Sequence, residues 1–449
     1  MKKAVLSTVL YSILASFVTA SGMLLCIALA NGESSGVGGW NLLFSLPEHV
    51  VIIIAIVLLT LDIACAALAV MLIISGLRGR AALRETRRAR KKTRFSRLKE
   101  LDTFYADKKA VSYEEPSSLA ELCDRFRNYA ASEMGLYYEK DVVRSYIASL
   151  AVTHLTIMQG ISGTGKTSLA YAFGRFSSSG AVMSPVQPSW KDRTDLLGYY
   201  NEFTDTYTET ELLCKLYEAN LCDDVYTVVL DEMNIARVEY YFAEFLSLLE
   251  LPEGPERRLR VTSDSRDTDP ALFSGGTLAL PGNVWFVGTA NNDDSTLAVS
   301  DKVYDRAFVI DLEKRAKPFD APKTLPMRIS ATALKALFAK AAKSHAVTRQ
   351  MTEKIEELDE YLVREFRITF GNRVLKQIER FVPVFIACGG DELTAVDMIL
   401  CRKVLRKLES LNPVYVRASA DGLVRRINEL FGQDNMPECK NYMLRFKER

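Results

Sequence analysis

The chain has 449 residues, 48% of them hydrophobic, which is enough for more than one packed domain. Its formal net charge is +1, so total charge singles out no class of partner and only the distribution of charge is informative. Its eight cysteines are scattered without a C-x-x-C pair and its three histidines lie far apart, which argues against a disulfide framework and a zinc site.

The chain opens with two long apolar segments. Ala4–Ala30 has no charged residue, and Val50–Leu77 has only Asp62. Each exceeds the roughly 20 helical residues that cross a bilayer. Lys2 and Lys3 precede the first, eleven Lys and Arg residues follow the second from Arg78 to Lys99, and the loop Asn31–His49 has neither. This pattern predicts a transmembrane hairpin over 1–77, two helices with both ends in the cytoplasm. A second reading stays open for the first segment, a signal peptide cleaved near "ALAN" at Ala28–Asn31. In a membrane, Asp62 would need shielding, pairing or protonation. The stretch 78–134 reads as a basic helix leaving the membrane, able to touch anionic lipids, then a polar linker with a helix start at Pro116-Ser117-Ser118. Nucleic-acid binding by the basic run is weakly supported, since its single aromatic is Phe95.

An apolar strand, Leu155–Gln159, leads into Gly160-Ile-Ser-Gly163-Thr164-Gly165-Lys166-Thr167, and a helical pattern runs on from Ser168. This fits G-x-x-x-x-G-K-[ST] in the strand–loop–helix context that the motif requires. The glycines let backbone N–H groups turn inward around phosphate oxygens, and the helix N-terminus adds positive potential. Lys166 can reach the outer phosphates and the Thr167 hydroxyl can hold Mg²⁺. Gly160, Gly163, Thr164, Gly165, Lys166, Thr167 and Ser168 are thus the expected nucleotide-binding residues.

Such a site needs an acid from a neighbouring strand. Val225–Leu230 reads as a buried strand ending in Asp231-Glu232, with a helix expected over Ile235–Leu249. Asp231 would act through the metal, and Glu232 would orient and polarise the attacking water. A third strand, "NVWFVGTANN", brings Asn291 to the same rim, where it can hold the water or the γ-phosphate. Arg306, in "SDKVYDRAFVIDL", precedes a fourth strand and can meet a neighbouring subunit's γ-phosphate. Two irregular stretches stand out. In "SPVQPSWKDRTDLLGYYNEF" Pro185, Pro188 and Trp190 break the helix pattern, and the family resemblance described below implies an inserted loop there. The other is a hairpin of Leu259–Thr262 with Thr277–Leu280, made basic by Arg257, Arg258 and Arg260. From about Lys317 the periodicity is helical: Ala331–Ser344, Thr352–Arg367, Val374–Cys388, Leu393–Leu411 and Leu423–Phe431.

Together these pieces resemble AAA+ NTPases, and more narrowly the McrB-like branch with its MoxR and dynein-related neighbours. The resemblance covers roughly Asp141–Ser410. It is carried by "GISGTGKTSL", "VQPSWKDRTDLLGYYNEF", "VVLDEMNIARVEYYFAEFLSLLE", "NVWFVGTANNDDST", "DKVYDRAF", "FGNRVLKQIERF" and "CRKVLRKLES". It implies an α/β nucleotide-binding domain over 135–315, a parallel sheet between helices, and a helical lid and C-terminal region over 316–449. It also implies assembly into a ring, usually hexameric. In residue terms it makes Asn291 the first sensor, Asp294 the acid that follows it, Arg306 the arginine finger and Arg373 the second, nucleotide-contacting sensor. "DRAF" stands where McrB-like motors often carry an arginine cluster, and no methylated-DNA-reading domain precedes the motor, so DNA restriction is not implied.

The expected cofactors are ATP, with GTP open because McrB-type motors can use it, and Mg²⁺. The expected partners are further copies of the chain, a separate effector or substrate protein, and membrane lipids. Two rival functions stand beside a remodelling motor. One is a MoxR-like chaperone that matures a membrane or metal-binding protein. The other is a nucleotide-gated scaffold, against which the intact Asp231-Glu232 pair argues.

Overall fold

The computed structural model describes residues 93–107, 111–178, 180–291 and 296–448, with scattered positions between Thr19 and Ser75. It divides into two units, Met1–Thr93 and Arg94–Arg449. In the first, the described positions from His49 to Ser75 are helical. The expected span 4–30 lies outside the described residues apart from Thr19 and Gly22, and Asp62 lies outside them as well. Among the described residues no helix is long and apolar enough to cross a membrane. That finding overturns the expected membrane location with two transmembrane helices.

Among the described residues the second unit contains nine strands: β1 Leu155–Gly160, β2 Ala181–Pro185, β3 Gly198–Asn201, β4 Thr206–Glu209, β5 Tyr226–Asp231, β6 Arg258–Arg260, β7 Thr277–Ala279, β8 Val284–Asn291 and β9 Phe308–Asp311. Five form one sheet in the order β2-β5-β8-β1-β9, every pair parallel. Parallel strands are covered on both faces, which is why these read as near-continuous apolar runs. Alternate residues face opposite layers. Met158, Val229, Val287 and Ile310 pack with Phe126, Tyr146 and Phe173, from helices Leu119–Met134, Lys140–Val152 and Lys166–Phe176. Leu155, Ile157, Val228, Leu230 and Phe286 pack with Tyr217, Tyr241, Phe242 and Phe245 on the other side. The first of these cores runs on without a break into the carboxyl-terminal helices, Ala331–Ser344 to Pro437–Glu448. A parallel five-stranded sheet followed by a helical region fits the AAA+ architecture that the resemblance implies.

Three local readings change. Arg94, expected in an exposed basic run, is buried. Its Nε and Nη2 donate to the two carboxylate oxygens of Asp269 at 2.9 and 2.8 Å, and its Nη1 donates to Asp264 at 2.5 Å. Helix Leu119–Met134, read as linker, buries Leu122, Cys123 and Phe126; Ser118 caps it by accepting from the Glu121 N–H, at the expected helix start. The single helix expected over Ile235–Leu249 is broken into the 3₁₀ turn Met233–Ile235 and helices Val238–Tyr241 and Ala243–Leu248, with Phe242 between them at φ −109°, ψ 6°. The expected hairpin is present as the antiparallel pair β6–β7, while the stretch expected as a loop carries the short helix Thr194–Leu197 and β3, which pairs antiparallel with β4 just beyond it.

Candidate functional site

The site begins where β1 ends. Gly160 has φ 139°, and a Cβ there would lie 2.3 Å from the Leu312 carbonyl oxygen, so only glycine lets the chain leave the sheet at this point. The loop that follows is tied from several sides. Tyr138 donates to the Gly165 carbonyl at 3.1 Å, Arg315 Nε to the Gly163 carbonyl at 2.7 Å, and Thr164 to the Ile161 carbonyl at 2.9 Å. Helix Lys166–Phe176 then starts at Gly165 with no side-chain cap. A helix N-terminus at this point adds positive potential that suits an anion. Lys166 is buried and its ammonium donates to the Gly160 and Ile161 carbonyls at 2.9 and 2.8 Å, inside the turn of the loop. Ser168 follows on the first helical turn.

The acidic pair sits beside it. Thr167 Oγ1 donates to Asp231 Oδ1 at 2.7 Å, and Thr289 Oγ1 donates to the same oxygen at 2.9 Å. Thr289 in turn accepts the Glu232 N–H at 2.9 Å. Glu232 adopts φ 52°, ψ 47°, the left-handed region that a non-glycine residue enters at a cost. Its carboxylate is exposed at the rim. Asn291 ends β8 directly opposite Gly160 in the β1–β8 register, and its carbonyl accepts from Asn234 at 3.1 Å and Thr296 at 3.0 Å. Asp294 lies outside the described residues. The carboxyl ends of β1, β5 and β8 thus bring Lys166, Thr167, Asp231, Glu232 and Asn291 to one place. Thr289 and Arg315 belong there too and were missed from sequence; a threonine two residues before Asn291 on the same strand face was the available signal.

Arg306 and Arg373 lie elsewhere. The Arg306 carbonyl accepts from Thr153, just before β1 begins, so Arg306 sits at the amino edge of the sheet. The six residues of β1, about 20 Å of strand, separate that edge from the phosphate loop. Arg306 Nε and Arg373 Nη2 both contact Glu250 Oε1, at 3.0 and 2.5 Å. The sequence reading placed Arg373 among the nucleotide contacts, but within one chain it is not brought to the phosphate loop; the packing of helix Gly371–Ala387 against the amino edge carries it away. Both arginines line a cavity of about 750 Å³ with Lys335, Lys376 and Arg380. In the same wall, hydrogen bonds from His154 and then Lys335 hold the Glu253 carboxyl down to about 2.

The carboxyl-terminal helices also touch both edges. Lys403, buried, donates to the carbonyls of Tyr304 at 2.8 Å, Asp305 at 3.4 Å and Ala307. These carbonyls close helix Asp301–Arg306, whose negative end suits a cation, while burial pushes the ammonium down to about 7. Arg406 stacks on Tyr304 and donates to Gln159 Oε1 at 3.0 Å, one residue before the phosphate loop. It shares a cavity of about 300 Å³ with Asn234 and Asn291.

No group of three or more His, Cys, Asp and Glu side chains able to hold a metal occurs among the described residues. A hydroxyl and one carboxylate, as in Thr167 and Asp231, are nevertheless the donors Mg²⁺ uses when phosphate and water complete its shell.

No protein-family model matches the chain, and no curated protein does. Among solved structures it is similar to NtrX from Brucella abortus in complex with ADP, at 13% identity and a TM-score of 0.23 over 82% of this chain and 70% of that one. It is also similar to the apo A form of the NrS-1 C-terminal region, at 13% identity and a TM-score of 0.22 over 69% of this chain and 73% of that one. Likeness at this level transfers nothing from either protein to this chain.

Proposed function

We propose that the chain is a nucleoside triphosphate hydrolase of the AAA+ type, closest in kind to the McrB-like and MoxR branch. On this reading it binds ATP, or GTP, and copies assemble head to tail in a ring that remodels a separate partner protein. The observation that carries the reading is the 2.7 Å contact of Thr167 with Asp231 beside the Lys166 loop. Two sequence motifs 64 residues apart meet there, which supports reading them as one phosphate-and-metal site. Thr167 and Asp231 would hold Mg²⁺, which neutralises phosphate charge when bound. Lys166 and the helix N-terminus bind the outer phosphates, Glu232 orients the attacking water and takes its proton, and Asn291 fixes the water or the γ-phosphate. Arg306, remote from its own loop, would serve a neighbour's.

The test is binding and turnover of Mg-ATP and Mg-GTP by the purified chain. Lys166→Ala should lose binding, whereas Glu232→Gln should keep it and lose turnover. Wild-type rates in both variants would sink the reading.

A further inference from the structure

We propose that Gln159 is a positioning residue for hydrolysis, and that its amide is the joint through which the carboxyl-terminal helical region sets the phosphate loop of its own chain. The inference rests on the phosphate loop being a nucleotide site. It adds the side chain that aims the loop and two arginines, Arg402 and Arg406, that act through it.

β1 is mostly apolar, yet its next-to-last residue is a buried amide whose side chain meets three separate elements. Gln159 Nε2 donates to Asp311 Oδ1 at 2.6 Å, where β9 ends. Gln159 Oε1 accepts from the Tyr304 hydroxyl at 3.2 Å, in helix Asp301–Arg306, and from Arg406 Nη1 at 3.0 Å, in the 3₁₀ turn Leu405–Ser410. Both lone pairs of the amide oxygen and one of its two N–H groups are thus engaged. The position calls for a donor toward the Asp311 carboxylate and an acceptor toward Tyr304 and Arg406, and an amide is the side chain that offers both. A carboxylate there would repel Asp311, and a leucine would leave all three bonds unmade. The carboxyl-terminal region grips the same spot twice. Arg406 Cζ stands 3.3 Å from the centre of the Tyr304 ring, and buried Arg402, four residues earlier, has its Nε 3.7 Å from the second oxygen of Asp311.

The joint matters because of where it stands. The next residue, Gly160, opens the phosphate loop, lies opposite Asn291 in the β1–β8 register, and has the carbonyl that accepts from the Lys166 ammonium at 2.9 Å. Loop backbone and Lys166 supply the groups that bind phosphate, and Gln159 touches none of them with its side chain. What the joint governs is how the loop leans toward Asp231, Glu232 and Asn291. A small change in that lean moves the γ-phosphate relative to the attacking water, and such misplacement costs rate far more than affinity.

The experiment begins with Mg-ATP binding by the wild type and by Lys166→Ala. If the wild type does not bind, or Lys166→Ala binds equally well, the nucleotide reading fails and this inference falls with it. With binding established, every later failure counts against the joint alone. Gln159→Leu and Arg406→Met should each lower kcat about tenfold, the scale of one lost hydrogen bond to a charged group, while the Kd for Mg-ATP stays within about twofold of wild type. An unchanged kcat, or a loss of affinity as large as the loss of rate, overturns the positioning role. The double variant should be no slower than the slower single one, because both break the same joint; effects that multiply would make the two residues independent and overturn it. Without nucleotide, the amides of the phosphate loop should exchange with deuterium faster in both variants, and unchanged exchange overturns the mechanical link. Gln159→Glu should also be slow, and adding Asp311→Asn, which reverses the amide and the carboxylate, should restore turnover. No restoration overturns the assignment of the effect to these hydrogen bonds. Circular dichroism and thermal unfolding show that each variant folds, and should Gln159→Leu fail to fold, the half-buried Arg406→Met carries the test.

Discussion

At the carboxyl edge of the sheet Thr167 and Thr289 share one oxygen of Asp231, at 2.7 and 2.9 Å, and the loop beside them is tied through Tyr138, Arg315 and Thr164. At the amino edge two arginines share one oxygen of Glu250 in a broad cavity. The first edge is assembled by strand register and backbone turns, which fix atoms within one chain. The second is assembled by long, partly exposed side chains at helix ends, which can trade one anion for another. The difference teaches that strand register holds one edge in place, whereas long side chains at helix ends set the other.

The comparison can be broken at its strongest point first. Glu232→Gln should cut turnover by up to about 10⁴-fold while Mg-ATP affinity stays near wild type, because only the water's base is lost. A parallel loss of affinity, measured by titration calorimetry, would make Glu232 a ligand and blur the line between binding and chemistry at that edge. Arg306→Ala should lower hydrolysis on the order of 10³-fold in the assembled protein and leave single-chain affinity alone. An equal effect on the isolated chain would bring the amino edge into its own active site and end the contrast.

Smaller effects sharpen it. Gly160→Ala places a methyl against the Leu312 carbonyl in a backbone conformation that alanine avoids, and should cost about 1–3 kcal/mol in chemical denaturation. A neutral outcome would show that the rigid edge yields more than its geometry implies. Lys403 gives the most local test. Burial lowers its ammonium from the ordinary 10.5 to about 7. Between those values the unfolded chain holds the extra proton, so stability contributed by Lys403 is present above 10.5 and is lost as pH falls towards 7. Denaturation curves of the wild type should therefore gain on those of Lys403→Met as pH rises through that window. A constant difference would mean that the three carbonyls around the ammonium cancel its burial.

The carboxyl edge was legible because its signals are local. The phosphate loop and the Asp231-Glu232 pair each sit where a strand ends, and the glycines mark the turn. Thr289 was not, because a threonine within an apolar strand reads as an ordinary strand former. Arg94 shows the cost of distance: its carboxylate partners lie 170 and 175 residues further along, so a local reading sees only one more charge in a basic run. Arg373 shows another limit. Helical periodicity gives the helix that carries it, but which edge of the sheet that helix packs against is decided by tertiary contacts. The helix expected after Glu232 breaks at Phe242, whose ring stacks on Phe245 at 4.9 Å and meets Phe286 at 5.2 Å, contacts that periodicity cannot show. The two apolar segments at the start satisfied hydropathy, charge asymmetry and length together, and the membrane placement drawn from them is overturned by the described helices.

Lys403 and Arg406 stand three residues apart on one lid segment, one fastened to the carbonyls that end the Arg306 helix and the other to the residue before the phosphate loop. On the proposed function, that segment would be a crossbar between a chain's own nucleotide and the face it turns to the next copy. Linkage then runs in both directions: if loading the loop alters how firmly Arg306 is presented, engagement of Arg306 by a neighbour must alter nucleotide affinity by the same factor. A ring of such chains would carry information around its circumference through each subunit's lid as well as across each interface.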